Sequence, residues 1–222
     1  MVLQQVAVDI ETTGFDVDET VTVVGFAVPL GCRVFVHDPD GDRDDGELET
    51  AVQDRVEEHF QVSIHASEPA LFRAVRGFVA ERFRGEDVLL VAYNGERYRG
   101  GFDLPFLRTR AATLGVEWPL RGVPFADLLP VVTRRFNTTV EGEEQSDLPG
   151  VYAVLCDGGL NEADPFADSG EAVEAFADGR LVELVVHNVV DVLRTQAVGR
   201  VAERYCGKSE FTVKSLTPTD YG

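Results

Sequence analysis

Two acids interrupt a stretch of chain that otherwise reads as a buried strand. Residues 6–12 are VAVDIET, and strand alternation places Val6, Val8 and Ile10 on one face and Ala7, Asp9 and Glu11 on the other. Two unpaired carboxylates converging on one face repel each other; one takes up a proton unless a divalent cation satisfies both. An exposed strand face with two ordinary acids is the alternative. A second segment, residues 91–110, reads VAYNGERYRGGFDLPFLRTR: an apolar strand leaves through Asn94-Gly95 into a glycine-containing loop, and Asp103 begins a helix. A carboxylate in a first helical turn is favoured by the dipole and can also serve only as a cap. Phe102 beside it is placed to stack on a base or sugar, or to fill the core. In the third segment, LVVHNVVDVLRT at 184–195, His187 and Asp191 are four apart and share one helix face among Leu184, Val190 and Val192. An imidazole there is a candidate base because it titrates near neutral pH, a core or surface histidine being the plain alternative.

These groups need a frame. Val2–Ile10, Val21–Val28 and Arg33–His37 read as strands, and the short turn-rich links between them imply an antiparallel meander. Residues 38–46 form an acidic loop, followed by a helix-like run ELETAVQDRVEEHF at 47–60 and the brief apolar VSIH at 62–65. Glu68–Phe83 spaces Leu71, Val75, Phe78, Val79 and Phe83 at helical intervals and should cover the sheet. A strand at Val88–Tyr93 follows, then a helix at Phe102–Leu114 stopped by Gly115 and Trp118-Pro119, a short strand at Val123–Phe125 and a helix at Ala126–Phe136. Residues 137–149 read as a flexible loop beside the site. Leu148–Leu155, Glu171–Phe176 behind the candidate cap Ser169, and Leu181–Tyr205 read as helices, while 206–222 is a tail without strong signal. The expected class is α/β, a mixed sheet flanked by helices in one domain spanning 1–205, with 38–66 a possible insertion.

The chain has 222 residues, enough for one such domain with a substantial core. No stretch approaches the roughly 18 consecutive apolar residues of a membrane span, and Met1 runs into the strand pattern without a basic n-region, so a cytoplasmic protein with no membrane partner is expected. Cys32, Cys156 and Cys206 are widely separated and indicate neither a zinc site nor a disulfide framework. The 39 acids and 20 bases leave a net charge of −19, and Lys208 and Lys214 are the two lysines. That balance resembles proteins of salt-in halophilic archaea, where about 1 M salt shortens the screening length to roughly 3 Å; an acidic protein of an ordinary cell is the alternative. Net charge speaks against a nucleic-acid binder, but the distribution is uneven. From Arg97 to Arg135 seven arginines face three acids, a segment able to meet phosphates, or else one whose arginines pair with acids elsewhere.

DxE in the first strand, an Asp in an NG…FDLPFL segment and a final Asp in a late helix, in that order, resemble the DEDD superfamily of 3′→5′ exonucleases. FDLPFLRTRA after Asn-Gly is similar to the proofreading exonuclease domain of family-B DNA polymerases, and the ending resembles stand-alone ribonuclease H-like exonucleases of archaea and bacteria. The resemblance covers most of the chain. It implies a ribonuclease H-like sheet of three antiparallel strands followed by parallel ones, and hydrolysis of single-stranded DNA or RNA from the 3′ end. It also implies that Asp9, Glu11, Asp103 and Asp191 hold two divalent ions, Mg²⁺ or Mn²⁺, which suit hard oxygen ligands, activate the attacking water and stabilise the departing 3′ oxygen. Thr12 and Thr13 would touch the terminal nucleotide, and Asn94 would bind near the strand end. The sequence departs from the family at the base. The tyrosine subclass has its Tyr four residues before the last Asp and the histidine subclass its His five before, whereas His187 stands at the tyrosine position. The loop Glu96–Gly101 is also longer than in polymerase proofreading domains. Two alternatives follow: a catalytically weak nucleic-acid-binding domain of this fold, and a structure-selective endonuclease.

Overall fold

A computed structural model describes residues 4–41, 43–83, 87–96, 101–167 and 169–219. The chain runs through β1 (Gln4–Thr12), β2 (Val21–Val28), β3 (Gly31–His37), α1 (Asp45–Gln53), β4 (Phe60–His65), α2 (Glu68–Arg82) and β5 (Val88–Ala92). It continues through α3 (Asp103–Leu114), β6 (Pro124–Asp127), α4 (Leu129–Arg135), the ribbon β7 (Thr139–Val140) and β8 (Glu143–Glu144), α5 (Leu148–Leu155), α6 (Ser169–Ala177), α7 (Leu181–Tyr205) and β9 (Lys214–Ser215). Seven strands form one sheet in the order β4-β3-β2-β1-β5-β6-β9. The β1–β2 and β2–β3 pairs are antiparallel, and β3–β4, β1–β5 and β5–β6 are parallel. This is the expected α/β mixed sheet with helical flanks, and it is compatible with a ribonuclease H-like arrangement.

Alternation along the strands sorts the core into two layers. Val6, Val8, Ile10, Val24, Phe26 and Phe35 pack against Leu71 and Val75 of α2 and Leu104 and Leu107 of α3. Ala7, Val23, Val34 and Val36 pack on the other face against Leu184, Val185, Val189 and Val192 of α7. Asp9 and Glu11 belong to this second face by strand parity, so β1 aims both acids at α7. No helix among the described residues is long and apolar enough to cross a membrane.

Several boundaries differ from expectation for identifiable reasons. The expected start of the first strand at Val2 lies outside the described residues, and β1 runs on to Thr12. The helix-like run at 47–60 is divided. Asp44 caps the backbone N–H groups of Gly46 and Glu47 at 2.9 and 3.3 Å, α1 ends at Gln53, and Phe60 and Val62 turn inward as β4 pairs with Cys32 and Val34. Residues 38–66 thereby supply a helix and the edge strand. Ala126 and Asp127 extend β6 beside Val91 and Ala92, so α4 starts three residues later than the apolar pattern suggests. Residues 137–149 include a small ribbon turned by Glu141 and Gly142 in left-handed conformation, and Thr138 Oγ1 donates to Gln145 O at 2.6 Å. The tail contributes β9 against β6, with Leu216 buried.

Among the described residues, two arginines of the basic segment, Arg110 and Arg135, are committed to acids. Arg135 pairs with Glu210. Arg110 donates through Nε and Nη2 to Glu68 at 3.0 and 2.6 Å, and Glu68 Oε1 also accepts the Val21 N–H at 2.9 Å. A third Arg110 bond, to Val17 O at 3.3 Å, ties the loop that carries Phe15 to this pair. Arg97 and Arg99 lie outside the described residues. Because the Glu68 side chain is only 4% exposed, removing its partner leaves a buried charge uncompensated. Arg110→Ala is therefore expected to lower the unfolding free energy by about 3–5 kcal/mol. Chemical denaturation in high salt checks this, and the Glu68→Gln/Arg110→Ala double variant should recover part of the loss.

Candidate active site

The sheet presents a cavity of about 170 Å³ at the carboxyl ends of β1 and β5, the position where open α/β sheets accept ligands. Its walls include Asp9, Glu11 and Thr12 from β1, Tyr93 and Asn94 from the end of β5, Phe102 and Asp103 from the start of α3, His187 and Asp191 from α7, and Phe15 and Val173. Of the expected site residues, Thr13 alone is not on the lining. Its hydroxyl hydrogen-bonds Glu19 and accepts the Thr20 N–H at 2.9 Å, closing the β1–β2 turn.

Each segment has a local reason to deliver its acid. Asn94 takes a left-handed φ of 59°, a conformation asparagine tolerates. The chain is held there by Asp127, which accepts the Asn94 and Glu96 N–H groups at 2.9 and 3.0 Å. Gly101 lies so close that a Cβ would sit 1.2 Å from Glu96 O, and Leu104 N donates to Gly95 O at 2.9 Å. This packing brings Asp103 back to the cavity. The helix is entered at Phe102, whose side chain makes no capping hydrogen bond. The four residues 97–100 of the long loop lie outside the described residues. On α7, His187, Asn188 and Asp191 face β1, and Asn188 Nδ2 donates to Asp9 Oδ2 at 2.9 Å. Asn188 Oδ1 rests over Gly25 of β2, where a Cβ would lie 1.9 Å away.

The four acids raise one another's pKa values. Asp9 is held well above the usual carboxylate range, first by burial and then by Glu11, Asp103 and Asp191, and it donates a hydrogen bond to Glu11. Burial likewise raises Asp103, with Glu11, Asp127 and Asp191 adding to it. Glu11 is pushed up to about 7, mainly by burial, although His187 pulls the other way. Asp191 is raised by burial against the opposing pull of His187 and Arg194. For His187 burial opposes the charged form, but the hydrogen bond to Asp164 and the nearby Glu11 and Asp191 outweigh it and lift the pKa to about 9.

Asp164, Asn188 and Arg194 complete the site and carry no motif. Asp164 Oδ1 lies 2.7 Å from His187 Nδ1, and the Arg194 guanidinium joins Asp164 Oδ2 to Asp191 Oδ1 through two 2.6 Å bonds. Asp164, His187 and Asp191 offer ligand atoms within 4.8 Å of one another, a spacing that can hold a metal. We assign the cation of that trio to Arg194, which already occupies both carboxylates. Among the described residues Asp9, Glu11 and Asp103 make no ion pair with lysine or arginine. Their crowded, desolvated hard oxygens, with the unpartnered Asn94 Oδ1 beside the cavity, fit divalent ions of the Mg²⁺ or Mn²⁺ kind.

Two outcomes are expected. Carboxylates with raised folded pKa values, and a histidine with a raised one, all bind more protons in the folded than in the unfolded state, so metal-free stability is highest near pH 4.5 and falls as pH rises through about 7 and on to about 9. Thermal melts across that range should show the fall, and Mn²⁺ should reverse most of it above pH 7. Gly25→Ala should push Asn188 off Asp9 and weaken Mn²⁺ binding by about 10- to 100-fold, measured by calorimetry. No protein-family model matches this chain, and no curated protein matches it.

Proposed function

We propose that this protein is a metal-dependent 3′→5′ exonuclease acting on single-stranded nucleic acid. The observation that carries the reading is the gathering of Asp9, Glu11, Asp103 and Asp191 around one cavity, where burial and mutual repulsion leave their charge without a compensating cation on three of the four. These residues would hold two divalent ions, which when bound supply activation of water and neutralise charge developing at phosphorus. The chain's own groups do the remaining work. Asn188 keeps Asp9 from turning away. His187 presents Nε2 to the acid cluster, 4.0 Å from Glu11 Oε1 and 3.8 Å from Asp191 Oδ2. With its pKa lifted to about 9 it is an imidazolium at neutral pH that can donate to a phosphate oxygen, and only its neutral form can take a proton from a water beside the scissile bond. Phe15, two-thirds exposed, meets Phe102 edge to face at 5.2 Å on the cavity wall, and together they offer a stacking surface for a terminal base.

The ordered family resemblance supports attack at a 3′ end, and product length tests it. With Mn²⁺ in molar salt, 5′-labelled single-stranded DNA or RNA should shorten one nucleotide at a time with release of 5′ mononucleotides. Asp103→Asn should reduce the rate at least 100-fold, because loss of several kcal/mol of charge stabilisation corresponds to tenfold per 1.36 kcal/mol. Internal fragments would point to an endonuclease, and strand binding without shortening to a catalytically weak binding domain.

A further inference from the structure

Asp164 lies between the 3-10 turn Gly159–Glu162 and α6, outside the sheet and outside every motif, yet its side chain is only 6% exposed. Its two oxygens have distinct partners. Oδ1 accepts the Phe166 N–H at 3.1 Å and lies 2.7 Å from His187 Nδ1, while Oδ2 accepts Arg194 Nη1 at 2.6 Å. The same Nη1 donates to Asp191 Oδ1 at 2.6 Å, and Arg194 Nε to Asn161 Oδ1 at 2.9 Å. The Phe166 ring packs on the imidazole with centroids 5.3 Å apart. A carboxylate held by a guanidinium is an acceptor, so the proton of the short bond sits on His187 Nδ1. The ring then has one orientation, with Nε2 turned to Glu11 and Asp191.

We propose that Asp164 is a positioning residue: one buried carboxylate fixes the His187 ring with Nε2 towards the acid cluster and, through Arg194, fixes which oxygen of Asp191 is left to face it. The catalytic consequence rests on the exonuclease reading; the geometry does not. Both Asp164 oxygens must accept, one from the imidazole and one from the guanidinium. Asparagine has a single acceptor; the guanidinium can only donate and keeps that oxygen, so Asp164→Asn turns its amide N–H to His187 Nδ1, which must then give up its proton, whereas Asp164→Glu keeps two acceptors.

Two measurements test this in the full chain. In the Mg²⁺-loaded wild type, NMR of ¹⁵N-histidine-labelled protein should show a His187 Nδ1 proton protected from exchange, and Asp164→Asn should lose it. In Mn²⁺ kinetics on a single-stranded oligonucleotide, Asp164→Asn should lower kcat about 10- to 100-fold with KM changed less than about twofold, and Asp164→Glu should recover part of kcat. A wild type without the protected Nδ1 proton overturns the proposal without recourse to any variant. So does an Asp164→Asn protein that melts earlier but keeps kcat within about twofold. If the wild type releases no nucleotide while the Nδ1 proton still depends on Asp164, the exonuclease reading fails and the positioning role stands.

Discussion

The site is built on one electrostatic constraint: four carboxylates are brought out of water at one end of a sheet, beneath a helix buried over most of its length. α7 has to be apolar nearly all round because it contacts the sheet on one side and α1, α5 and α6 elsewhere. Among its polar residues, His187, Asn188, Asp191, Arg194 and Thr195 recur at helical spacing and form one stripe, while Gln196 is buried off it. Within it His187 and Asn188 lie over Glu11 and Asp9, which with Gln5 are the polar positions on the matching face of β1. Hydrophobic packing thereby forces the crowding, and the polar groups relieve only part of it. Arg194 neutralises Asp191 from behind, Asn188 donates to Asp9, and a shared hydrogen bond joins Asp9 to Glu11. The remainder is taken up by protons in the bare protein, which is why the carboxylate pKa values are raised; on the proposed reading, divalent ions would relieve the same strain.

Periodic positions are the ones the amino-acid sequence reveals by itself. Strand parity alone places Asp9 and Glu11 on one face, and a four-residue helical interval places His187 beside Asp191; both relations are local and survive any tertiary arrangement. Asp103 is legible through the glycines and asparagine around it, which mark a chain turning back on itself. Asp164 is not. It is one acid among several in DGGLNEADPFADSGE, a segment without periodicity, and its role depends on where α7 happens to sit. Arg110 escapes a local reading for a related reason: nothing nearby in the chain distinguishes an arginine that meets phosphate from one sealed against Glu68, 42 residues away. The strands β4 and β9 are obscured because edge strands are short and carry half an apolar pattern at best.

The placement of His187 explains why the acidic segment before α6 matters. In the resembled family the tyrosine subclass has its Tyr four residues before the last Asp and the histidine subclass its His five before; a tyrosine hydroxyl stands further from the backbone than an imidazole nitrogen. A shorter side chain at that position has less reach and gains more from a fixed orientation. Phe166 against the ring and Asp164 on Nδ1 supply one, both from the same few residues. Gly25 serves the neighbouring position by letting Asn188 approach β2 without a Cβ in the way. The helix stripe is thus seated from both sides.

A chain of net charge −19 has to meet a polyanion if the exonuclease reading holds, and its arginines do not obviously solve the problem. Arg110, Arg135 and Arg194 are engaged with acids, and Arg108 leans on Trp118 with its guanidinium 5.4 Å from the ring. Long-range attraction would be weak in any case at the salt concentrations this composition suggests, since screening at about 1 M confines electrostatics to roughly 3 Å. Contacts at that range would still act on the proposed reading: divalent ions against phosphate within the acid cluster, and aromatic faces against bases at Phe15 and Phe102. On that reading an acidic surface is compatible with nucleic-acid chemistry, because the attraction needed would be short-ranged and concentrated where the chain's own negative charge would draw cations in.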